Sequence, residues 1–119
     1  MKFTEDHEWL RPEDDLLVVG ITEHASSQLG DVVFVELPEP ETQVAKGDEI
    51  VVIESVKAAS DIAAPVEGEI VAVNEKLMEN PAMVNEDPLG EAWFFKIKPT
   101  DMSEYEAYMD EDAYQDLVG

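Results

Sequence analysis

Short runs of β-forming hydrophobic residues, separated by polar and turn-forming residues, recur along most of the chain, a pattern typical of β-strands. The runs that predict strands are residues 16–21, 32–37, 50–53, 70–73 and 92–97. In the last run the alternation predicts that Trp93, Phe95 and Ile97 share one face. Strands this short and this closely spaced predict a mainly β protein, an all-β sandwich or barrel.

One short helix is predicted between the first two of these strands. Thr22 should N-cap a helix over residues 23–29, because its hydroxyl can accept a hydrogen bond from a free backbone N–H. Gly30 should end the helix, since glycine readily adopts the left-handed conformation found there. Ala25 and Leu29 are expected to share the buried face of this helix.

The acidic tail after Pro99 has a weak helical period. Thr100 or Ser103 could cap a first helix, and Asp110 could cap a second. We expect this tail, residues about 100–119, to pack on the sandwich. Residues 1–119 are therefore expected to form a single domain.

An internal repeat suggests that the β fold has two related halves. Residues 49–54 read Glu-Ile-Val-Val-Ile-Glu, and residues 69–74 read Glu-Ile-Val-Ala-Val-Asn. Two copies are too few for a solenoid, which needs about three repeats. They suit a fold in which each half supplies an equivalent strand.

Charge and composition exclude several classes of function. The chain has 7 basic and 29 acidic residues, a net charge of −22, which repels nucleic acid and anionic membranes. Such a surface favours solubility, steering towards basic partners, or a salt-adapted source. The absence of cysteine excludes disulfides, thiolate metal sites and a cysteine nucleophile. With no signal-peptide pattern and no apolar run long enough to span a membrane, the expected location is cytoplasmic.

No recognisable enzyme motif is present. The glycines never form G-x-G, and there is no G-x-S-x-G elbow. His7 and His24 are too few for a zinc signature, and the acidic run at 110–112 lacks the rest of a calcium loop. The motifs therefore predict no metal site and no recognisable catalytic centre, although pairs of carboxylates for acid–base chemistry stay open because acidic residues occur throughout the chain.

The segment 54–61, Glu-Ser-Val-Lys-Ala-Ala-Ser-Asp, contains an isolated basic residue among small neighbours. Lys57 lies almost midway between Gly47 and Gly68, which suggests a β-turn with the lysine at its tip. A long, flexible amine on a protruding turn can accept an amide-linked prosthetic group. From spacing alone, an ordinary solvated lysine is the alternative interpretation.

The chain resembles the H proteins of the glycine cleavage system over nearly its whole length. The matching segments are residues 7–9, 20–25, 29–38, 54–61 and 65–69, together with Asn74, Pro81, Asn85, Pro88 and Trp93. Their order and spacing are specific, although each piece alone is weak. The resemblance implies a lipoyl/biotinyl-type barrel-sandwich of two antiparallel sheets, with short peripheral helices and a C-terminal helical tail.

The resemblance also implies a function in glycine catabolism and one-carbon metabolism. Lys57 would carry lipoic acid as a covalent amide, forming a swinging arm. The arm would shuttle an aminomethyl group from glycine decarboxylase to the aminomethyltransferase, and electrons to dihydrolipoyl dehydrogenase. A lipoyl-attaching enzyme would be a further partner, and the carrier is expected to be a monomer.

Further site residues follow from the resemblance by position. Glu54 matches the acidic residue upstream of the lysine that favours lipoyl attachment. Glu8 and Asp61 match positions near the loaded arm. His7 and Trp9 are interpreted as structural residues.

Several other functions stay open from the sequence. An H-like carrier could serve lipoyl relay or sulfur metabolism, and a biotin carrier domain is a close rival, although methionines would then flank the lysine. A non-modified interaction module and a small hydrolase that uses carboxylates belong to other classes. The intact mass separates them, since lipoyl, biotin and no modification give different increments.

Overall fold

The computed structural model describes residues 1–118, which form nine strands and five short helices. The strands are β1 (Lys2–Phe3), β2 (Glu8–Glu13), β3 (Leu16–Ile21), β4 (Val32–Glu36), β5 (Thr42–Val44), β6 (Glu49–Ser55), β7 (Ala59–Ala63), β8 (Gly68–Val73) and β9 (Phe95–Pro99). The helices are α1 (Glu23–Leu29), α2 (Lys76–Glu79), α3 (Met83–Glu86), α4 (Ser103–Glu106) and α5 (Glu111–Val118). None of these helices is long and apolar enough to cross a membrane.

The strands form two antiparallel sheets. The larger sheet has the order β1-β2-β3-β9-β8-β5, and the smaller has the order β4-β6-β7. The predicted mainly β fold of two antiparallel sheets, short helices and a C-terminal helical tail is therefore confirmed. Neither sheet closes into a barrel, so the fold is an open sandwich.

One hydrophobic cluster joins inward-facing residues of both sheets. Strands β2, β3 and β9 contribute residues such as Leu10, Val19 and Ile97, and β6 contributes Val51 and Ile53. Each of these side chains is at most 1% exposed. Burying a side chain of this size stabilises the fold by about 1.5–3 kcal/mol.

Four of the five predicted strands are confirmed within one or two residues at their ends. The fifth was predicted over residues 92–97 but begins at Phe95. Phe95 and Ile97 are fully buried in the main cluster, whereas Trp93 is half-buried against the second cluster, around Phe3 and Tyr114. The predicted common face of Trp93, Phe95 and Ile97 is therefore wrong, because alternation holds only inside a ladder and Trp93 precedes it.

The prediction for α1 is confirmed at both ends. The Ala25 N–H donates to the Thr22 hydroxyl over 3.3 Å, and Gly30 follows the helix with a φ of 73°. Ala25 and Leu29 are half-buried against the core, as the period suggested. The most buried residue of the helix is instead Ser26, whose hydroxyl donates to the Val84 carbonyl.

The acidic tail contacts the larger sheet. Phe3 and Met109 exchange backbone hydrogen bonds, and Asp110 caps α5 by accepting from the Ala113 N–H. Neither Thr100 nor Ser103 caps α4. Met102 precedes α4 without a side-chain cap, and the Asp101 carboxylate accepts from both the N–H and the hydroxyl of Ser103, the first residue of the helix. Gly119, the last residue of the predicted tail, lies outside the described residues.

The internal repeat is split between the two sheets. Its first copy lies in β6 of the smaller sheet, and its second lies in β8 of the larger sheet. This arrangement is what a fold of two related halves requires.

Candidate functional site

The β6–β7 hairpin holds Lys57 at its tip. The Ser55 N–H donates to the Ala58 carbonyl over 2.9 Å, and the Ser55 hydroxyl oxygen accepts from the N–H groups of Lys57 and Ala58. Serine can close a turn in this way because its short side chain reaches backbone groups two and three residues ahead. Lys57 is exposed at the apex, so its predicted position on a turn is confirmed.

The stem of Lys57 lies against Gly30 at the end of α1. A Cβ atom added to Gly30 would come within 3.1 Å of Lys57 Cε and 3.4 Å of Lys57 Cδ. The positive φ of Gly30 also disfavours any side chain at this position. Gly30 therefore both ends the helix and leaves room for the lysine.

Asn85 holds the loop under the lysine in place. Its side-chain amide donates to the Gly30 carbonyl over 2.6 Å, and its amide oxygen accepts from the Val32 N–H over 2.9 Å. The Val56 N–H in turn donates to the Asp31 carbonyl over 3.0 Å. Sequence reasoning did not assign Gly30 or Asn85 to the site, although both lie in matched segments, because these contacts join distant parts of the chain.

Glu54 lies on β6, three residues before Lys57, and its side chain is exposed. It pairs with Phe34 on one side and Ala59 on the other. Among the described residues, Glu54 forms no ion pair, so its exposed carboxylate is free to contact another protein.

Glu8 carries a buried carboxyl group at the start of β2, with 4% of the residue exposed. Loss of hydration raises the pKa of Glu8 to about 8, and the nearby charge of Asp6 adds to the increase. Hydrogen bonds from the Thr4 hydroxyl and the Ala63 backbone lower the pKa of Glu8, but by less than burial raises it. Glu8 is therefore mainly protonated at neutral pH.

A cleft of about 210 Å³ brings Glu8 and Asp61 together between α1 and the hairpin. Its lining is mixed: Ile21, Ala25, Leu29, Ile53 and Ile62 are apolar, and Asp6, His7, Glu8, Gln28, Ser60 and Asp61 are polar or charged. Glu8 is buried, whereas Asp61 is exposed. The cleft thus combines apolar side chains with one buried carboxyl group, that of Glu8, and two exposed acidic residues, Asp6 and Asp61.

A larger cavity of about 370 Å³ is also lined by Glu8, together with Lys46, Pro65 and Tyr108. None of its lining residues belongs to the segment 54–61. The smaller cleft is therefore the one associated with the lysine turn. In residues 1–118 no three His, Asp or Glu side chains lie close enough to hold a metal ion.

His7 and Trp9 have structural contacts, as interpreted from the sequence. Trp9 is fully buried, and its indole N–H donates to the Pro88 carbonyl over 2.8 Å. His7 Nδ1 lies 2.8 Å from the hydroxyl of Tyr114 on α5. His7 also lines the cleft, so it connects the cleft to the C-terminal helix.

Comparisons with known sequences and structures each cover nearly the whole chain, and they all match one family. The family model for the glycine cleavage H-protein matches residues 1–119. The glycine cleavage system H protein of Shewanella denitrificans is 56% identical over 119 residues, covering 99% of this chain and 92% of that protein. Glycine cleavage system H protein 1 of Pseudomonas aeruginosa is 55% identical, with coverage of 99% and 93%. The crystal structure of a glycine cleavage system H protein from Mycobacterium marinum has a TM-score of 0.89 at 35% identity, covering 99% of this chain and 95% of that one.

Proposed function

The chain belongs to the glycine cleavage H-protein family, and from this membership we propose that Lys57 is its lipoyl attachment site. The family assigns the chain a role as a lipoyl carrier of the glycine cleavage system, a component that is not itself a catalytic enzyme. Which residue carries the lipoyl group is a separate question. The observation that carries the proposal is the exposure of Lys57 at the tip of the β6–β7 hairpin.

The surroundings of Lys57 fit a lipoyl group. The small residues of the turn leave the amine open to an attaching enzyme, and exposed Glu54 lies within reach of the same enzyme. Gly30 lets the lysine stem lie over the end of α1, and α1 also lines the cleft that contains Glu8. When attached, the lipoyl group supplies a disulfide that can be reduced, carry a one-carbon amine and be reoxidised.

The decisive variant is Lys57→Arg. It keeps the positive charge but offers no amine for the amide bond, so we expect the lipoyl mass increment and glycine cleavage to be lost while the fold is retained. Intact mass spectrometry checks the loss of the lipoyl increment, and circular dichroism checks that the fold is retained.

Lys98→Arg, an exposed lysine on β9, is the matched control and should keep the full increment. Lipoyl found on Lys46 or Lys76 by peptide mapping would overturn the assignment. A biotin increment would point to the rival carrier.

We also propose that Glu8 holds the amine of the aminomethyl cargo in the cleft, with Asp61 at its mouth. An amine of this kind should be cationic near neutral pH, and a buried carboxylate attracts a cation more strongly than a solvated one. Docking of the cationic amine would then release the proton of Glu8 to the solvent, because the cation favours the ionised carboxylate. A hydrogen bond to a charged group contributes about 1.5–3 kcal/mol, enough to favour docking while leaving the arm free to leave.

The rate of spontaneous ammonia release from the loaded carrier measures how well the cleft protects the aminomethyl cargo. After removal of the decarboxylase, Glu8→Gln should release ammonia about tenfold faster than the wild type. Asp61→Asn should have a smaller effect, since Asp61 is exposed. Glu111→Gln removes the charge of an exposed residue on α5 that does not line the cleft, so it should match the wild type. Equal rates for Glu8→Gln and the wild type would mean that Glu8 does not hold the cargo.

The partners that we propose are glycine decarboxylase, the aminomethyltransferase, dihydrolipoyl dehydrogenase and a lipoyl-attaching enzyme. The family name supports other components of the glycine cleavage system as partners. Omission of each enzyme in turn from a reconstituted reaction identifies those that the carrier needs. The expected monomeric state, cytoplasmic location and single-domain organisation stay predictions.

A further inference from the structure

Asn85 spans the whole loop between α1 and β4, which consists of only Gly30 and Asp31. Its side-chain amide donates to the Gly30 carbonyl at one end of the loop and accepts from the Val32 N–H at the other end. Asparagine suits this place because its amide both donates and accepts hydrogen bonds. A half-buried side chain that bonds to both ends of so short a loop fixes the backbone between them.

The helix that carries Asn85 is anchored in the core. The preceding residue, Val84, is fully buried in the main hydrophobic cluster. The Ser26 hydroxyl donates to the Val84 carbonyl over 3.0 Å, which ties α3 to α1. Asn85 therefore holds the loop from a base that is packed against the rest of the molecule.

The same loop supports the lysine turn. The Asp31 carbonyl accepts from the Val56 N–H, next to Lys57. The aliphatic stem of Lys57 comes progressively closer to Gly30: a Cβ atom added to Gly30 would lie 3.7 Å from Lys57 Cγ, 3.4 Å from Cδ and 3.1 Å from Cε. The stem thus runs from the hairpin towards the end of α1.

The direction of the stem matters because α1 forms one wall of the cleft. Ala25, Gln28 and Leu29 line the cleft, and Leu29 directly precedes Gly30. A group attached to the end of the Lys57 stem would therefore begin near this wall. An arm held in this direction loses less conformational freedom on docking than an arm that leaves the turn in any direction.

We propose that Asn85 is a positioning residue that acts through the loop and directs the arm from Lys57 over α1 into the cleft. The proposal rests on Lys57 as the lipoyl site and on the cleft as the cargo site. Without Asn85 the loop is freer, the Lys57 stem loses its support, and the loaded arm spends less time in the cleft. Attachment itself is retained, because the hydrogen bonds of Ser55 within the turn do not involve Asn85.

The unmodified chain tests the support of the lysine stem. In carbon-13 relaxation measurements, Asn85→Ala should lower the order parameters of Lys57 Cγ and Cδ to those of Lys76, an exposed lysine without an ion pair in residues 1–118. Gly30→Ala should act in the same direction, since its methyl group would displace the stem. Unchanged order parameters of Lys57 in Asn85→Ala would overturn the proposal.

Asn74→Ala is the matched control in every measurement. The Asn74 side chain also donates to a backbone carbonyl, that of Glu91, over 2.8 Å, and neither residue lines the cleft. This variant therefore loses a comparable hydrogen bond without disturbing the loop. Its Lys57 order parameters and its rate of ammonia release should match those of the wild type.

The lipoylated chain tests the delivery of the cargo. Peptide mapping of each variant comes first, because a lipoyl group on another lysine would overturn the proposed attachment site, a failure distinct from that of Asn85. With Lys57 fully lipoylated and loaded, Asn85→Ala should release ammonia about threefold faster than the wild type. Equal rates in these two fully lipoylated proteins would overturn the role of Asn85 alone.

A double variant separates positioning from a general loosening of the fold. If Asn85 acts by bringing the cargo to Glu8, adding Asn85→Ala to Glu8→Gln should change the release rate little beyond that of Glu8→Gln. Effects that multiply in full would mean that Asn85 protects the cargo by another route, and the proposal would then be wrong.

Discussion

Glu8 shows how a residue that is costly for the fold can suit the role proposed for it. Its carboxyl group is buried, and burial favours the protonated form. In a protein selected for stability alone, an uncharged residue would serve better at this position. A buried acid becomes reasonable if a cation sometimes occupies the cleft beside it, as proposed for the loaded arm.

The raised pKa of Glu8 predicts a pH-dependent stability. The folded chain holds this proton up to a pH of about 8, whereas an unfolded chain releases it near 4.5. Between these values the folded state binds more protons, so the contribution of Glu8 to the free energy of unfolding falls as the pH rises. Glu8→Gln has no such proton. Its free energy of unfolding, relative to that of the wild type, should therefore rise from pH 5 to pH 8, by at most about 5 kcal/mol.

Urea unfolding of the two proteins at pH 5, 7 and 9 measures this difference. Glu111→Gln on α5 controls for the loss of one negative charge from an acidic chain. A constant difference between wild type and Glu8→Gln across this range would contradict the raised pKa.

At the scale of elements, α5 braces the segment that leads into Glu8. A helix of eight residues is unstable by itself and depends on tertiary contacts. Tyr114 supplies them: its ring stacks on Phe3 at 4.7 Å, and its hydroxyl lies 2.7 Å from Thr22 Oγ1 and 2.8 Å from His7 Nδ1. His7 adopts a positive φ of 66° directly before Glu8. The hydroxyl of Tyr114 therefore helps to hold an unfavourable backbone conformation beside the cleft.

Tyr114→Phe tests this brace. The ring keeps its stacking on Phe3, while the contacts with Thr22 and His7 are lost. We expect the free energy of unfolding to fall by about 1–2 kcal/mol, and amide exchange at His7 and Thr22 to accelerate. Tyr105→Phe is the control, since the Tyr105 hydroxyl forms no hydrogen bond within residues 1–118. Equal losses in both variants would mean that the hydroxyl of Tyr114 has no special role.

At the scale of the whole molecule, the site exists only where the two sheets meet. The smaller sheet carries Lys57 on its hairpin, and the larger sheet carries Glu8 on β2. The helix α1, which connects β3 of the larger sheet to β4 of the smaller one, lines the cleft between them. The proposed arm would thus start at the edge of the smaller sheet, and the proposed cargo site would lie at the junction of the two sheets.

The net charge also acts at the scale of the whole molecule. With 29 acidic residues, most faces of the protein are negative, so copies of it repel one another at low salt. Charge alone would not direct a partner to one face.

Local interactions allowed the sequence to determine much of the fold and the position of the main candidate residue. The strands over residues 16–21 and 70–73 follow from β-branched runs, and α1 follows from Thr22 and Gly30 at its ends. The tip position of Lys57 follows from small neighbours that favour a turn. In each case the cause lies within a few residues of the feature.

Only the tertiary structure decided which of these residues meet and which are buried. Glu8 reads as one surface carboxylate among many until the packing of β2 and α1 removes it from water. The exposure of Val33 depends on a bulge against β6, and the position of Trp93 depends on where the β9 ladder begins. The contacts of Asn85 with Gly30 and of Tyr114 with His7 join residues far apart in the chain. Burial and proximity of this kind are properties of the packed sheets, and no local pattern of residues contains them.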